Sequence, residues 1–223
     1  MTFSLVGRCA RTGQFGMVIS SSSPAVAARC AHVGAGVGAV ASQNVTDPAL
    51  GPLVLDALAS GLDAGAALRR VTTGRDFIDW RQLLVVDRQG HVAIHSGRQV
   101  LGIWAEAKGR DCAAGGNLLA NDGVPAAMVA AFEGATGHLG ERLMQALEAG
   151  LAAGGEAGPV HSAGLKVADR LDWPLIDLRI DWSDAPIADL RAAWQVYAPQ
   201  MAAYVQRALD PRAAPSYGVP GDE

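Results

Sequence analysis

Thr2 stands behind Met1 at the head of Thr2-Phe3-Ser4-Leu5-Val6-Gly7. Removal of Met1 would leave its hydroxyl beside a free α-amine. The amine titrates near ~8 and can accept the hydroxyl proton, so a single residue would supply both nucleophile and base. A small second residue such as Thr permits that cleavage. With Met1 retained, Thr2 is only a β-branched residue suited to a strand.

Two further segments carry groups that suit a developing oxyanion. Gly115-Gly116-Asn117 reads as a glycine turn between a strand and a helix, where the backbone can approach a ligand and amides at a helix start are open. Ser42-Gln43-Asn44 ends another expected strand, and its amides could polarise a carbonyl; read otherwise, they cap a loop. His95, at the end of Val92-Ala93-Ile94, offers a base, with a Ser20–Ser22 hydroxyl as an alternative nucleophile if the two converge within ~3 Å. The candidate catalytic residues are thus Thr2, Asn117 and Gln43, and the candidate substrate-binding residues are Ser20, Ser22, Asn44, His95 and Gly116.

His32, His91, His95, His138 and His161 show no HxH or HExxH spacing, so no metal is expected. Gly34-Ala35-Gly36-Val37-Gly38-Ala39 fits the GxGxxA dinucleotide pattern, but that fingerprint requires a strand before it and a helix after it. Here a strand-like Val-Gly-Ala-Val-Ala-Ser follows, and Asp56, at about the right distance for a ribose contact, lies in a helical pattern. No cofactor is expected.

The 223 residues, 50% of them hydrophobic, can bury a substantial core. A net charge of −4 argues against a nucleic-acid partner. No apolar run reaches the ~20 residues of a membrane span, and no signal peptide precedes the first strand, so no membrane partner and a cytoplasmic location are expected. Cys9, Cys30 and Cys112 are odd in number and lack CxxC spacing, which points to core thiols. Lys108 and Lys166 are the only lysines.

These groups must be positioned by a fold whose pattern is strands, helices, strands, helices, strands, helix. Alternating apolar residues predict strands over 2–8 and 14–22 around the turn Arg11-Thr12-Gly13, then one strand over 33–42. Leu53, Ala57, Leu58, Ala67, Leu68 and Val71 predict two helices. Leu83 to Val86 and Val92 to His95 predict a hairpin, with 104–108 and 111–114 extending the same sheet. Two helices follow, marked by Val124 to Ala131 and by Leu139, Leu143, Leu147 and Leu151. Strands over 162–167 and 175–180 come next, then a last helix from Pro186 that Pro199 should break or kink. The pattern is α+β, with two mainly antiparallel sheets flanked by helices. It predicts one domain over 1–209 and a loose tail over 210–223.

Thr2-Phe3-Ser4, the Gly34 to Gln43 segment, Gln82 to Asp87 with Gly90, and Gly115-Gly116-Asn117-Leu118-Leu119 together resemble the N-terminal-nucleophile hydrolase superfamily. More closely they resemble an uncharacterised microbial family, a domain of unknown function assigned to that superfamily, over about residues 2–182. The resemblance implies a four-layer αββα sandwich. It also implies an amidohydrolase cycle in which Thr2 attacks, its amine relays the proton, Gly116-Asn117 lies beside it and Gln43-Asn44 offers an oxyanion amide. Proteasome-like members place an acidic residue at the end of the second strand and a lysine on the third, where this chain has Ser20-Ser21-Ser22 and the lysine-free Val37 to Ala41.

The leading expectation is an amidohydrolase acting on a small non-protein or short-peptide amide. The alternative, from another class, is an inactive member of the fold that binds a small molecule or serves as a scaffold. Trp182, Trp194, Tyr197 and Tyr204 could supply an aromatic surface for a homodimer, or pack on the chain's own sheet.

Overall fold

The computed structural model describes residues 1–222. Apolar alternation at the N-terminus forms the hairpin β1 (Thr2–Arg8) and β2 (Phe15–Ser21), in which Phe3 faces Ser20 and Val6 faces Met17 across the pair. A short helix α1 (Val26–Cys30) leads to β3 (Ala31–Gly34) and β4 (Gly38–Asn44). Helices α2 (Leu50–Ala59) and α3 (Ala64–Thr72) follow, then β5 (Arg81–Asp87), β6 (Val92–Ser96), β7 (Ala105–Gly109) and β8 (Cys112–Asn117). The remaining elements are α4 (Val124–Gly134), α5 (Leu139–Ala152), β9 (Ser162–Ala168), β10 (Ile176–Ile180), α6 (Pro186–Tyr197) and α7 (Met201–Leu209).

The strands form two antiparallel sheets, one ordered β10-β9-β2-β1-β8-β7 and one β3-β4-β5-β6. The period of two along each strand sends its residues to opposite faces. From the six-stranded sheet, Phe3, Leu5, Val18, Ala114 and Leu165 pack against Met128 and Phe132 of α4, Leu143 and Leu147 of α5, and Leu190 and Trp194 of α6. Its other face sends Val6, Met17, Ile19 and Ala113 against Ala39, Ala41, Leu84 and Val86 of the four-stranded sheet. That sheet's far face carries Val40, Leu83 and Val85 against Leu50, Val54 and Leu68 of α2 and α3.

Gly7 of β1 packs against the Phe132 ring of α4. A Cβ there would lie 2.6 Å from the Phe132 ring. Gly7→Ala should therefore cost about 1–3 kcal/mol through overpacking, read from the urea midpoint.

The structure corrects several expectations. The strand expected over 33–42 is a hairpin, and Gly34 to Ala39 forms its turn and flanks rather than a nucleotide loop. Segments 104–108 and 111–114 do not extend the Leu83–His95 hairpin: β7 and β8 belong to the six-stranded sheet, and β8 pairs with β1. Gly115-Gly116-Asn117 is not a turn into a helix but the end of β8; α4 begins at Val124. The break expected at Pro199 is present as a 3-10 turn, Ala198–Gln200; the unexpected feature is the further helix α7 beyond it. Residues 210–222 carry a 3-10 turn at Pro211–Ala213 and an isolated bridge between Val219 and Asp222, which leaves the expected tail as it was; Glu223 lies outside the described residues.

No helix among the described residues is long and apolar enough to cross a membrane. Cys9, Cys30 and Cys112 are buried free thiols, and burial pushes Cys112 up to about 12.

Candidate functional site

Parity along β1 decides which side chains can meet. Phe3 and Leu5 face the helices, so Thr2, Ser4 and Val6 face the four-stranded sheet. The strands on either side of β1 obey the same rule. Asn117 and Gly115 lie opposite Thr2 and Ser4 on β8, while Ser21 ends β2 on the face that carries Met17 and Ile19. Thr2 is thus flanked on one face by a hydroxyl and an amide.

Thr2 is 5% exposed. Its Oγ1 lies 3.4 Å from Ser21 Oγ, and both hydroxyls donate to the Met1 carbonyl, Ser21 at 2.5 Å. Ser21 Oγ also accepts from the Ser23 backbone N–H at 3.1 Å. Below them a buried polar ladder links the two sheets. Ser4 Oγ donates to Gln43 Oε1 at 2.6 Å, and Gln43 Nε2 donates to Gln82 Oε1 at 2.8 Å and to the Gly115 carbonyl at 3.2 Å. Gln82 Nε2 in turn donates to Ser96 Oγ at 3.0 Å and to the Gly116 carbonyl at 3.4 Å. Asn117 Nδ2 reaches Gln82 Oε1 only at 3.5 Å, and its buried Oδ1 has no partner. A buried acceptor without a partner is costly, and this one lies beside Thr2.

A carboxylate joins the site from an unexpected place. After α5, Gly154 and Gly155 adopt φ of 124° and 60°, a region open to glycine at little cost, and turn the chain so that Glu156 bridges to Leu119 beyond β8. Glu156 is 5% exposed, and both its carboxylate oxygens accept the Ser22 backbone N–H at 3.2 Å. Burial raises its pKa to about 7, against the opposing pull of the chain's amino terminus and the Ser22 hydrogen bonds. It also lines a cavity of about 350 Å³ with Leu151, Val160, Pro186 and Ile187.

The sequence-derived candidates divide accordingly. Thr2, Asn117 and Gln43 come together, but both N–H groups of the Gln43 amide are engaged, which leaves it no side-chain donor for an oxyanion. The Gln43 side chain is a strut between the two sheets. Gly116 enters through its carbonyl, and its Cα faces Leu119 on the helix side. Ser20, opposite Phe3, points to that same side and donates to the Ser162 carbonyl at 2.9 Å; Ser21 is the serine that meets Thr2. Ser22 contributes its backbone N–H. Asn44 has φ of 74° and bonds the Trp80 carbonyl and the Leu101 N–H, away from Thr2.

His95 lies opposite Leu83, on the face turned to α2 and α3, and its Nε2 bonds the Ile78 carbonyl at 3.1 Å. The serine–His95 pair is therefore not assembled. Sequence reading missed Ser4, Ser21, Gln82 and Glu156. Strand parity would have found the first two, as polar residues in phase with Val6 and with Met17 and Ile19; the Gly154-Gly155 turn is the local signal for the last. Among the aromatic residues expected to offer a surface, Trp194 is buried and the Tyr197 hydroxyl donates to the Leu175 carbonyl, while Trp182 is 61% exposed.

The model of a family of unknown function, DUF1028, matches residues 2–190. The chain is similar to the crystal structure of protein SPO2555 from Silicibacter pomeroyi, titled with the same family. The two share 28% identity with a TM-score of 0.82, over 88% of this chain and 89% of that one. A comparison with Anbu (ancestral beta-subunit) from Yersinia bercovieri gives 12% identity and a TM-score of 0.39, over 91% and 97%. No curated protein matches the chain.

Proposed function

We propose that this chain, which belongs to the DUF1028 family of unknown function, is an amidohydrolase of a small non-protein or short-peptide amide, with Thr2 as nucleophile after Met1 is removed. The reading includes a single four-layer αββα domain of the N-terminal-nucleophile type, supported by the packing of both sheets against each other and of helices on their outer faces. A homodimer through exposed Trp182 and Tyr204 and a cytoplasmic location belong to the same proposal.

The observation that carries it is the convergence of the Thr2 hydroxyl, the Ser21 hydroxyl and the underused Asn117 amide on one buried strand end, with Glu156 beside the amino terminus. Thr2 Oγ1 attacks the amide carbon and its proton passes to the Thr2 amine. Asn117 Nδ2 and the Ser21 hydroxyl, both donors, stabilise the oxyanion. The amine protonates the leaving nitrogen, and water then cleaves the ester on Thr2. Glu156 supplies the carboxylate that the end of β2 lacks, holding the ammonium form as it develops. The apolar cavity beyond Glu156 would receive an apolar part of the substrate. The test is hydrolysis of an amide library by methionine-free protein, with Thr2→Ala as control. One observation favours the non-catalytic alternative: both hydroxyls are occupied by the Met1 carbonyl, so a retained Met1 closes the site.

Glu156 also sets a pH dependence. Its folded pKa of about 7 exceeds the ordinary 4.5, so the folded chain holds the proton more tightly than the unfolded chain does. Stability is therefore greatest below 4.5 as far as this group is concerned, and falls as pH rises through about 7. Urea unfolding across this range should show the wild type losing on the order of 2–3 kcal/mol relative to Glu156→Gln. Parallel curves for the two proteins would remove the buried ionisation.

A further inference from the structure

At the opposite end of β1 from Thr2, about 20 Å along the strand, lies a second cavity, of about 430 Å³. It opens between the β1–β2 turn, the β7–β8 turn and the segment joining α4 to α5. Its walls bring together Arg8, Arg11, Arg110 and Arg142, with Asp111 and Glu133 as the facing carboxylates.

The carboxylates do not satisfy the arginines. Asp111 Oδ1 accepts from Arg8 Nη1 at 2.7 Å, but Glu133 Oε1 is taken by the Arg110 backbone N–H at 2.6 Å rather than by a guanidinium. Arg142 lies over the Phe132 ring, 4.1 Å from its centroid, and donates one Nη2 bond to the Phe132 carbonyl. The Nε groups of both Arg8 and Arg142 are buried without an acceptor. Each such group costs on the order of 1–3 kcal/mol unless something accepts from it. Four guanidinium groups against two carboxylates leave an excess of two positive charges and a shortage of acceptor oxygens. The field reaches Cys9 in the same wall: burial works against the thiolate, but hydrogen bonds from Thr12 and Arg11 and the Arg142 charge hold the thiol below its ordinary value.

We propose that this cavity binds a small phosphorylated molecule through Arg8, Arg11, Arg110 and Arg142, at a site separate from Thr2. A phosphomonoester carries about −1.5 to −2 charges at neutral pH, which matches the excess, and its three oxygens can accept from the guanidinium groups that line the cavity. The guanidinium fork suits phosphate geometry better than lysine would. The volume exceeds that of a bare phosphate and falls in the range of small-ligand pockets, about 300–1,000 Å³, which leaves room for an organic moiety.

Titration calorimetry of the full chain with inorganic phosphate and with glycerol phosphate, at matched chloride, tests it. The expected result is binding of both at millimolar concentration or tighter, glycerol phosphate the stronger, with affinity falling as salt rises. The exposed pair Arg11→Gln and Arg110→Gln, chosen because neither side chain is buried, should weaken binding at least tenfold while leaving the melting temperature without ligand unchanged. Arg142→Gln should abolish binding. No binding of either probe, or undiminished binding by the double variant, overturns the proposal.

Discussion

Methionine-free protein carrying Thr2→Ala should lose hydrolysis of any amide substrate by roughly 10⁴-fold or more, because no other hydroxyl at the strand end has an amine on its own residue to take its proton. Thr2→Ser should keep measurable turnover, since the oxygen and the amine remain. Intact mass, read first, separates processing from chemistry. If methionine is absent and Thr2→Ala hydrolyses as fast as the wild type, Thr2 is not the nucleophile. If methionine is retained in active protein, the amine of Thr2 is blocked and cannot be the base. Asn117→Ala provides a graded companion: its amide lies opposite Thr2 in the β1–β8 register and is underused by the fold. Its loss should reduce kcat more than KM, as removal of an oxyanion donor does.

Gln43→Leu should be the most destabilising single change at the site, by about 3–5 kcal/mol in urea unfolding. The apolar side chain fits the volume but leaves the Ser4 hydroxyl without its acceptor and the Gly115 carbonyl and Gln82 Oε1 short of a donor, all inside the space between the sheets. A domain of ordinary stability has only about 5–15 kcal/mol in total, so this loss would be visible as a large shift in midpoint. Adding Ser4→Ala to Gln43→Leu should cost less than the sum of the single changes, because it removes one of the orphans. Strictly additive energies would mean that the two side chains are not coupled across the sheets.

Much of the local structure was legible. Phe3, Leu5, Phe15, Met17 and Ile19 alternate, and β1 and β2 follow that alternation; Leu139, Leu143 and Leu147 recur at helical spacing, and α5 follows it. The glycine stretches were harder to read. In Gly34 to Ala39 the small residues serve a hairpin turn, and in Gly115-Gly116 they let β8 lie between β1 and β7 under the Leu84 and Leu119 side chains. A glycine permits both a turn and a closely packed strand, so its presence does not choose between them. His95 was misplaced for another reason. It looks catalytic as an isolated residue, but one step of strand parity sends it to the helix-facing side.

The sequence by itself determined that Thr2 heads a strand, that Ser20-Ser21-Ser22 and Val37 to Ala41 carry no charged side chain, and where most strands and helices lie. These properties depend on neighbours within a few residues, through side-chain periodicity and backbone preference. Only the tertiary structure decided that β8 runs beside β1, that Ser21 rather than Ser20 meets Thr2, that Gln43 is consumed as a strut, and that Glu156, more than 150 residues along the chain, comes to rest near the amino terminus. Pairing of distant strands is chosen by the burial of whole faces at once, and no local pattern records which two segments a long loop will bring together.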